Sequence, residues 1–146
     1  MSIYYNADFF DKNQSSAIKF IGDTNLVNAQ NLILPETTLT SSSCYRNMFQ
    51  GCSSLVTAPE LPATTLAKYC YQQMFKDCTS LVTAPELPAT TLTESCYSGM
   101  FQGCSSLVTA PELSATTLTG ACYQYMFSGC TSLNYIKMLA TDISAS

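Results

Sequence analysis

Thiols, carboxylates, phenols and hydroxyls recur in this chain at one fixed interval, and they are the groups in it that could do chemistry. Cys44, Cys70, Cys96 and Cys122 are each followed eight residues later by Cys52, Cys78, Cys104 and Cys130, and the whole set repeats every 26 residues. Thiols can pair as disulfides, hold zinc or pack as small apolar groups. On a helix, residues eight apart lie about 12 Å apart, beyond the about 7 Å that a disulfide tolerates between Cα atoms. Cysteines of one column on neighbouring packed helices would be about 8–10 Å apart, again too far. C-x7-C is not a zinc spacing, and the chain has no histidine. Buried free thiols in a packing column are the expectation, with disulfides second and a metal last.

The other columns read in the same way. Glu60, Glu86 and Glu112 form an acidic file. Calcium takes six to eight oxygen ligands, so one carboxylate per repeat fits a solvated edge better than a metal site. Thr64 and Thr65, Thr90 and Thr91, and Thr116 and Thr117 form ladders. Neighbours on a strand point to opposite faces, so one ladder is expected outside, paired across strands, with an ice-binding array as the sharper alternative. Tyr45, Tyr71, Tyr97 and Tyr123 are expected to bury their rings and leave hydroxyls at the rim, the alternative being a sugar-stacking platform. Without histidine, a Gly-rich phosphate loop or a carboxylate pair set by the repeat, the usual acid–base and nucleophilic schemes lack their players. The expectation is a protein that is not an enzyme and takes no cofactor.

The elements that position these columns follow from the rest of the unit. L-V-T-A-P-E-L-P-A-T-T-L runs from Leu55 and from Leu81, and from Leu107 with one change, at Ser114. A period of this size means a solenoid, whose units bury their apolar faces by stacking. Leu55–Ala58, Leu81–Ala84 and Leu107–Ala110 read as parallel strands closed by a proline or its neighbour, and Leu61–Leu66 as a second extended piece. Cys70, Met74 and Cys78, with Tyr71 and Phe75, are spaced by four, which predicts a short helix; Gly51, Gly103 and Gly129 would end such helices. Strands stack at about 4.8 Å and helices at about 8–10 Å, so the stack should curve with its strands concave. The architecture expected is a right-handed stack of about five coils, the handedness following from the crossover rule for parallel strands.

Two regions are set out: an N-terminal cap or docking segment at 1–25, and the solenoid at 26–146 with copies beginning near 44, 70, 96 and 122. Residues 1–25 match nothing in the repeat. Ile3, Tyr4, Tyr5, Phe9 and Phe10 form an aromatic cluster that either caps the first coil or docks on another protein, and Ala17–Ile21 reads as a strand. Leu34–Leu39 echoes Leu61–Leu66 as an imperfect first coil, and Leu133–Leu139 reads as a further strand.

The unit resembles the BspA-type bacterial leucine-rich repeats, written L-x-x-I-x-I-P, a second strand, then A-F-x-x-C-x-x-L. Leu55, Ala58, Leu61 and Pro62 fill the first part with one extra residue, and Met74-Phe75-x-x-Cys78-x-x-Leu81 fills the last. The unit is longer than usual for that family, and Cys70 stands where the family tends to carry Ile or Val. The resemblance implies a leucine-rich-repeat solenoid of a kind found mainly in surface or secreted adhesion and recognition proteins, with similar repeats in gut bacteria and their phages.

Charge narrows the partners. Only 11% of the 146 residues are charged and the net charge is −4, so the chain has no basic footprint for nucleic acid. It has no run of about 18 apolar residues for membrane insertion and no visible signal peptide. The expected function is recognition or adhesion at a cell surface, extracellularly or on a virion, by binding a protein or glycan. The alternative is a structural part of a phage virion or filament, docked through its N-terminal segment; a homo-oligomer or larger assembly fits either. Val56, Thr57, Glu60, Val82, Thr83, Glu86, Val108, Thr109 and Glu112 form the candidate ligand face. The alternative partner face, where the copies differ most, carries Tyr69, Gln72, Gln73 and Tyr125.

Overall fold

The computed structural model describes residues 19–145. The cluster at Ile3, Tyr4, Tyr5, Phe9 and Phe10, and the first two residues of the strand proposed at 17–21, lie outside the described residues; residues 19–21 form no strand.

The described residues contain no helix. Residues 43–52, 69–78, 95–104 and 121–130 form runs of turns, in which every fourth residue has a positive φ: Ser43, Asn47 and Gly51, then Tyr69, Gln73 and Asp77, and so on through Gly129. A right-handed helix cannot contain such residues. The backbone alternates accordingly. Met48 and Gln50 donate their N–H three residues back, to Tyr45 and Asn47, whereas Tyr45, Asn47 and Phe49 donate to Cys70, Gln72 and Met74 of the next coil. Cys44, Tyr45, Met48, Phe49 and Cys52 all point into the core. The predicted helix is thus corrected: a spacing of four suits both a 3.6-residue helix and a turn that recurs every four residues. Stacking decides between them, because helices cannot approach closely enough to share backbone hydrogen bonds.

The stack is therefore tight on the side expected to be wide. Phe20, Phe49, Phe75, Phe101 and Phe127 form one ring column with centroids 5.4–5.8 Å apart. The mismatch between strand and helix spacing, from which a concave strand side was inferred, does not exist here. On the strand side the pairing is parallel, as expected, but reduced to isolated bridges: Asn28 with Thr57, Thr38 with Thr65, Thr83 with Thr109 and Leu113 with Met138. Pro59, Pro62, Pro85 and Pro88 supply no N–H to extend them.

One core runs the length of the stack. Leu55, Leu81 and Leu107 are fully buried, as are Met48, Met74 and Met100. The second cysteine column has a defined partner: Cys78, Cys104 and Cys130 donate Sγ–H to the carbonyls of Phe49, Phe75 and Phe101 at 3.0–3.1 Å. Cys52 does the same to Phe20 at 2.9 Å.

That last bond shows that coil positions are already occupied at Phe20, inside the segment read as unlike the repeat. Phe20 and Gly22 donate to Met48 and Gln50 as Phe49 and Gly51 donate to Met74 and Lys76. Phe20-Ile21-Gly22-Asp23-Thr24-Asn25-Leu26 is a copy of Phe49–Leu55 with Asp23 in the cysteine position.

Gly103 shows how little room the turn runs leave. Its φ is +77°, and a Cβ built there would come within 2.2 Å of Asp77 Oδ1 in the preceding run. Gly103→Ala is expected to cost about 1–2 kcal/mol from the left-handed backbone, and more if Asp77 cannot turn aside. Urea denaturation of Gly103→Ala alone and combined with Asp77→Ala separates the two: the second change should recover the steric part.

Candidate functional site

On the strand side Val56, Val82 and Val108 are 43%, 42% and 51% exposed, in line with the exposed Val27. Thr83 and Thr109 are exposed beside them and Thr57 is half-buried. Glu60 and Glu86 are exposed, whereas Glu112 is half-buried and accepts a hydrogen bond from Lys137 at 2.6 Å. The candidate face is therefore one exposed stripe, with two carboxylates at its middle and a third neutralised at its end.

The stripe is interrupted at one place. Thr57 pairs backward to Asn28 and Thr83 forward to Thr109, so no backbone hydrogen bond joins 55–58 to 81–84. A cleft of about 320 Å³ opens there between Val56, Thr57 and Val82, Thr83. It continues through Ala58 and Pro85 into a second hollow of about 310 Å³, lined by Pro59, Glu60, Pro62, Pro85, Glu86 and Pro88. Nothing in the repeat pattern signals this opening, because 55–66 and 81–92 are the same sequence.

The alternative face is less available. Tyr69 is half-buried, and its hydroxyl donates to Glu94 Oε1 at 2.7 Å while Lys68 Nζ donates to Oε2 at 2.9 Å. These two hydrogen bonds hold the Glu94 carboxyl below the usual carboxylate range. Gln72 and Gln73 are half-buried, and Gln72 Oε1 is enclosed without a partner among the described residues. Tyr125 stands out at 65% exposure, but in a different column from Tyr69 and two coils away.

Two column readings change. Tyr45, Tyr71, Tyr97 and Tyr123 stack at 5.7–6.0 Å, but the hydroxyls of Tyr45 and Tyr97 are enclosed and unpartnered, so these rings form no rim for sugars. Both threonines of each pair, Thr64 and Thr65, Thr90 and Thr91, Thr116 and Thr117, are exposed, because the chain bends there instead of running as a flat strand.

The cysteines are all free and buried. Burial pushes the thiols of Cys44, Cys52 and Cys96 up to about 11 and that of Cys104 up to about 12. They are poor nucleophiles at neutral pH. The distance argument against disulfides within a column assumed helices and fails at this spacing; it is the packing that accounts for the thiols. Among the described residues no three His, Cys, Asp or Glu side chains converge on a point that could hold a metal ion. None of the helices that could cross a membrane is found there either: no helix is long and apolar enough.

No protein-family model matches the chain, and no curated protein matches it. Among solved structures it is similar to the crystal structure of a leucine rich cell surface protein from Faecalibacterium prausnitzii A2-165, at 20% identity and a TM-score of 0.42. The match covers 97% of this chain and 38% of that one, so this chain spans well under half the length of the protein it matches.

Proposed function

We propose that this chain is a non-catalytic recognition module, displayed extracellularly, at a cell surface or on a virion, that binds a protein or glycan through its strand side. The observation that carries this reading is the exposed valine stripe with its cleft between the second and third strand-side segments. There, apolar side chains, two open carboxylates and the N–H groups of Val82 and Thr83, which have no acceptor among the described residues, lie side by side. An apolar floor with a few polar groups is the usual composition of a binding site. The fold supplies this surface repeatedly, which suits an extended ligand.

The test is binding of the chain to an array of glycans and to a panel of extracellular protein domains. Glu60→Lys with Glu86→Lys reverses the charge at the cleft without touching the core and is expected to abolish the binding. Tyr69→Ala with Gln73→Ala is expected to leave it intact. The opposite pattern would place the site on the turn side and refute the proposal.

A further inference from the structure

The strand side carries charge of one sign. Segments 26–39, 55–66, 81–92 and 107–118 hold Glu36, Glu60, Glu86 and Glu112 and no lysine or arginine. The described cations are spent elsewhere: Arg46 and Lys76 lie within the turn runs, Lys19 donates to the Arg46 carbonyl, and Lys68 pairs with Glu94.

One cation does reach the acidic file, and it shows what the file takes. Glu60, Glu86 and Glu112 recur at an interval of 26, and one residue short of the next interval the chain places Lys137. The bridge between Leu113 and Met138 sets that register, and Lys137 Nζ donates to Glu112 Oε2 at 2.6 Å. Glu60 and Glu86 stand in the interior of the stack, where the following coil brings another glutamate instead of a lysine. Among the described residues neither has a cationic partner.

The hollow of about 310 Å³ beside these two carboxylates suits the rest of a basic side chain. Pro62, Pro85 and Pro88 wall it with ring carbons and have no N–H to offer. Lysine and arginine lay their aliphatic stems on such surface and keep the charged head in water. Arginine, with a planar fork of donors, can address carboxylates of two neighbouring coils at once. The same surface disfavours a sugar. Among the described residues no aromatic ring lines this hollow or the cleft of about 320 Å³ that continues from it, so a pyranose finds no face to stack on. An acidic glycan would meet carboxylates of its own sign.

We infer that the ligand of the strand side is a polypeptide segment that sets an arginine or lysine against Glu60 and Glu86, as Lys137 is set against Glu112. The inference rests on the strand side being the binding face, and it narrows the ligand there from protein or glycan to protein. Exposed ion pairs contribute little affinity by themselves, so the apolar wall holds the segment and the charge selects it.

Selection of a displayed library of random decapeptides on the full chain, beside a glycan array, is the test. Retained peptides are expected to be enriched in arginine and lysine. Changing the basic residue of such a peptide to glutamine should weaken its binding about fivefold, and added salt should weaken the original peptide more than the changed one. Glu60→Gln with Glu86→Gln keeps the shape of both side chains and is expected to remove the enrichment. No retained peptide, peptides without basic residues, or the same enrichment on the double variant would each overturn the inference. A glycan held on the strand side would overturn it alone, whereas ligands lost with Tyr69→Ala and Gln73→Ala would take the strand-side reading with it.

Discussion

Brought from pH 8 to pH 10.5 without denaturant, this chain is expected to unfold. Burial raises the thiols of Cys44, Cys52, Cys70, Cys78, Cys96, Cys104 and Cys130 above their ordinary value, the least buried of them least. A folded state that holds an acid neutral is fully favoured below the unfolded pKa, near 8.5 for a thiol, and loses that advantage as the pH climbs toward the folded value. One unit above the unfolded pKa a thiol held neutral withdraws about 1.4 kcal/mol, so the five most deeply buried, Cys44, Cys70, Cys78, Cys96 and Cys104, withdraw about 7 kcal/mol. That lies within the whole stability of a typical domain, about 5–15 kcal/mol. Burial likewise raises the phenols of Tyr45, Tyr71, Tyr97 and Tyr123, which adds to the loss at the upper end. Far-UV circular dichroism against pH, with reductant present, follows the transition. Signal unchanged to pH 11 would mean that the thiols do not sit in a dry column.

Phe75→Ala carries the largest expected cost of any single substitution. Its ring is fully buried and parallel to Phe49 at 5.4 Å and to Phe101 at 5.6 Å, so removing it empties the middle of a column with neighbours on both sides. Phenylalanine-to-alanine changes in cores cost about 3–5 kcal/mol, and a site whose walls are themselves pinned by backbone bonds relaxes poorly, which places it at the upper end. Phe127→Ala, half-buried and stacked on one side only, should cost distinctly less. Urea midpoints of the two variants make the comparison; equal losses would mean that something covers Phe127 as completely as Phe101 covers Phe75.

The repeat, its parallel pairing and its buried columns were legible in the sequence because a solenoid states each requirement several times. Leu55, Leu81 and Leu107 can share a position only if their environments are alike. The turn runs were misread because a spacing of four fits two backbones, and single residues such as Asn47, Gln73 and Tyr125 have no composition that announces a positive φ. Glycine at 99 in the same column was the available signal. The copy at Phe20 was also written in the chain, as F-x-G-x-x-x-L, but the offset of 29 from Phe49 and the aspartate in the cysteine position hid it. The opening between 55–66 and 81–92 could not be read at all. Neighbours of identical sequence pair differently there, and that depends on the whole stack.

The alternating hydrogen bonds of the turn runs bear on how such a protein can change length over generations. An inward bond joins residue i to residue i+25, so excising or duplicating 26 residues anywhere between Ser43 and Gly129 returns every ring, thiol and N–H to an equivalent neighbour. A gain or loss of one residue inside a run would instead exchange the inward and outward N–H groups. Odd residues are accommodated between runs, as where Thr38 meets Thr65 at an interval of 27. Near-identical copies in a gene recombine most readily in whole periods, so the changes that arise most often are also those the fold absorbs. A population of such proteins would differ in the number of coils while keeping each coil the same.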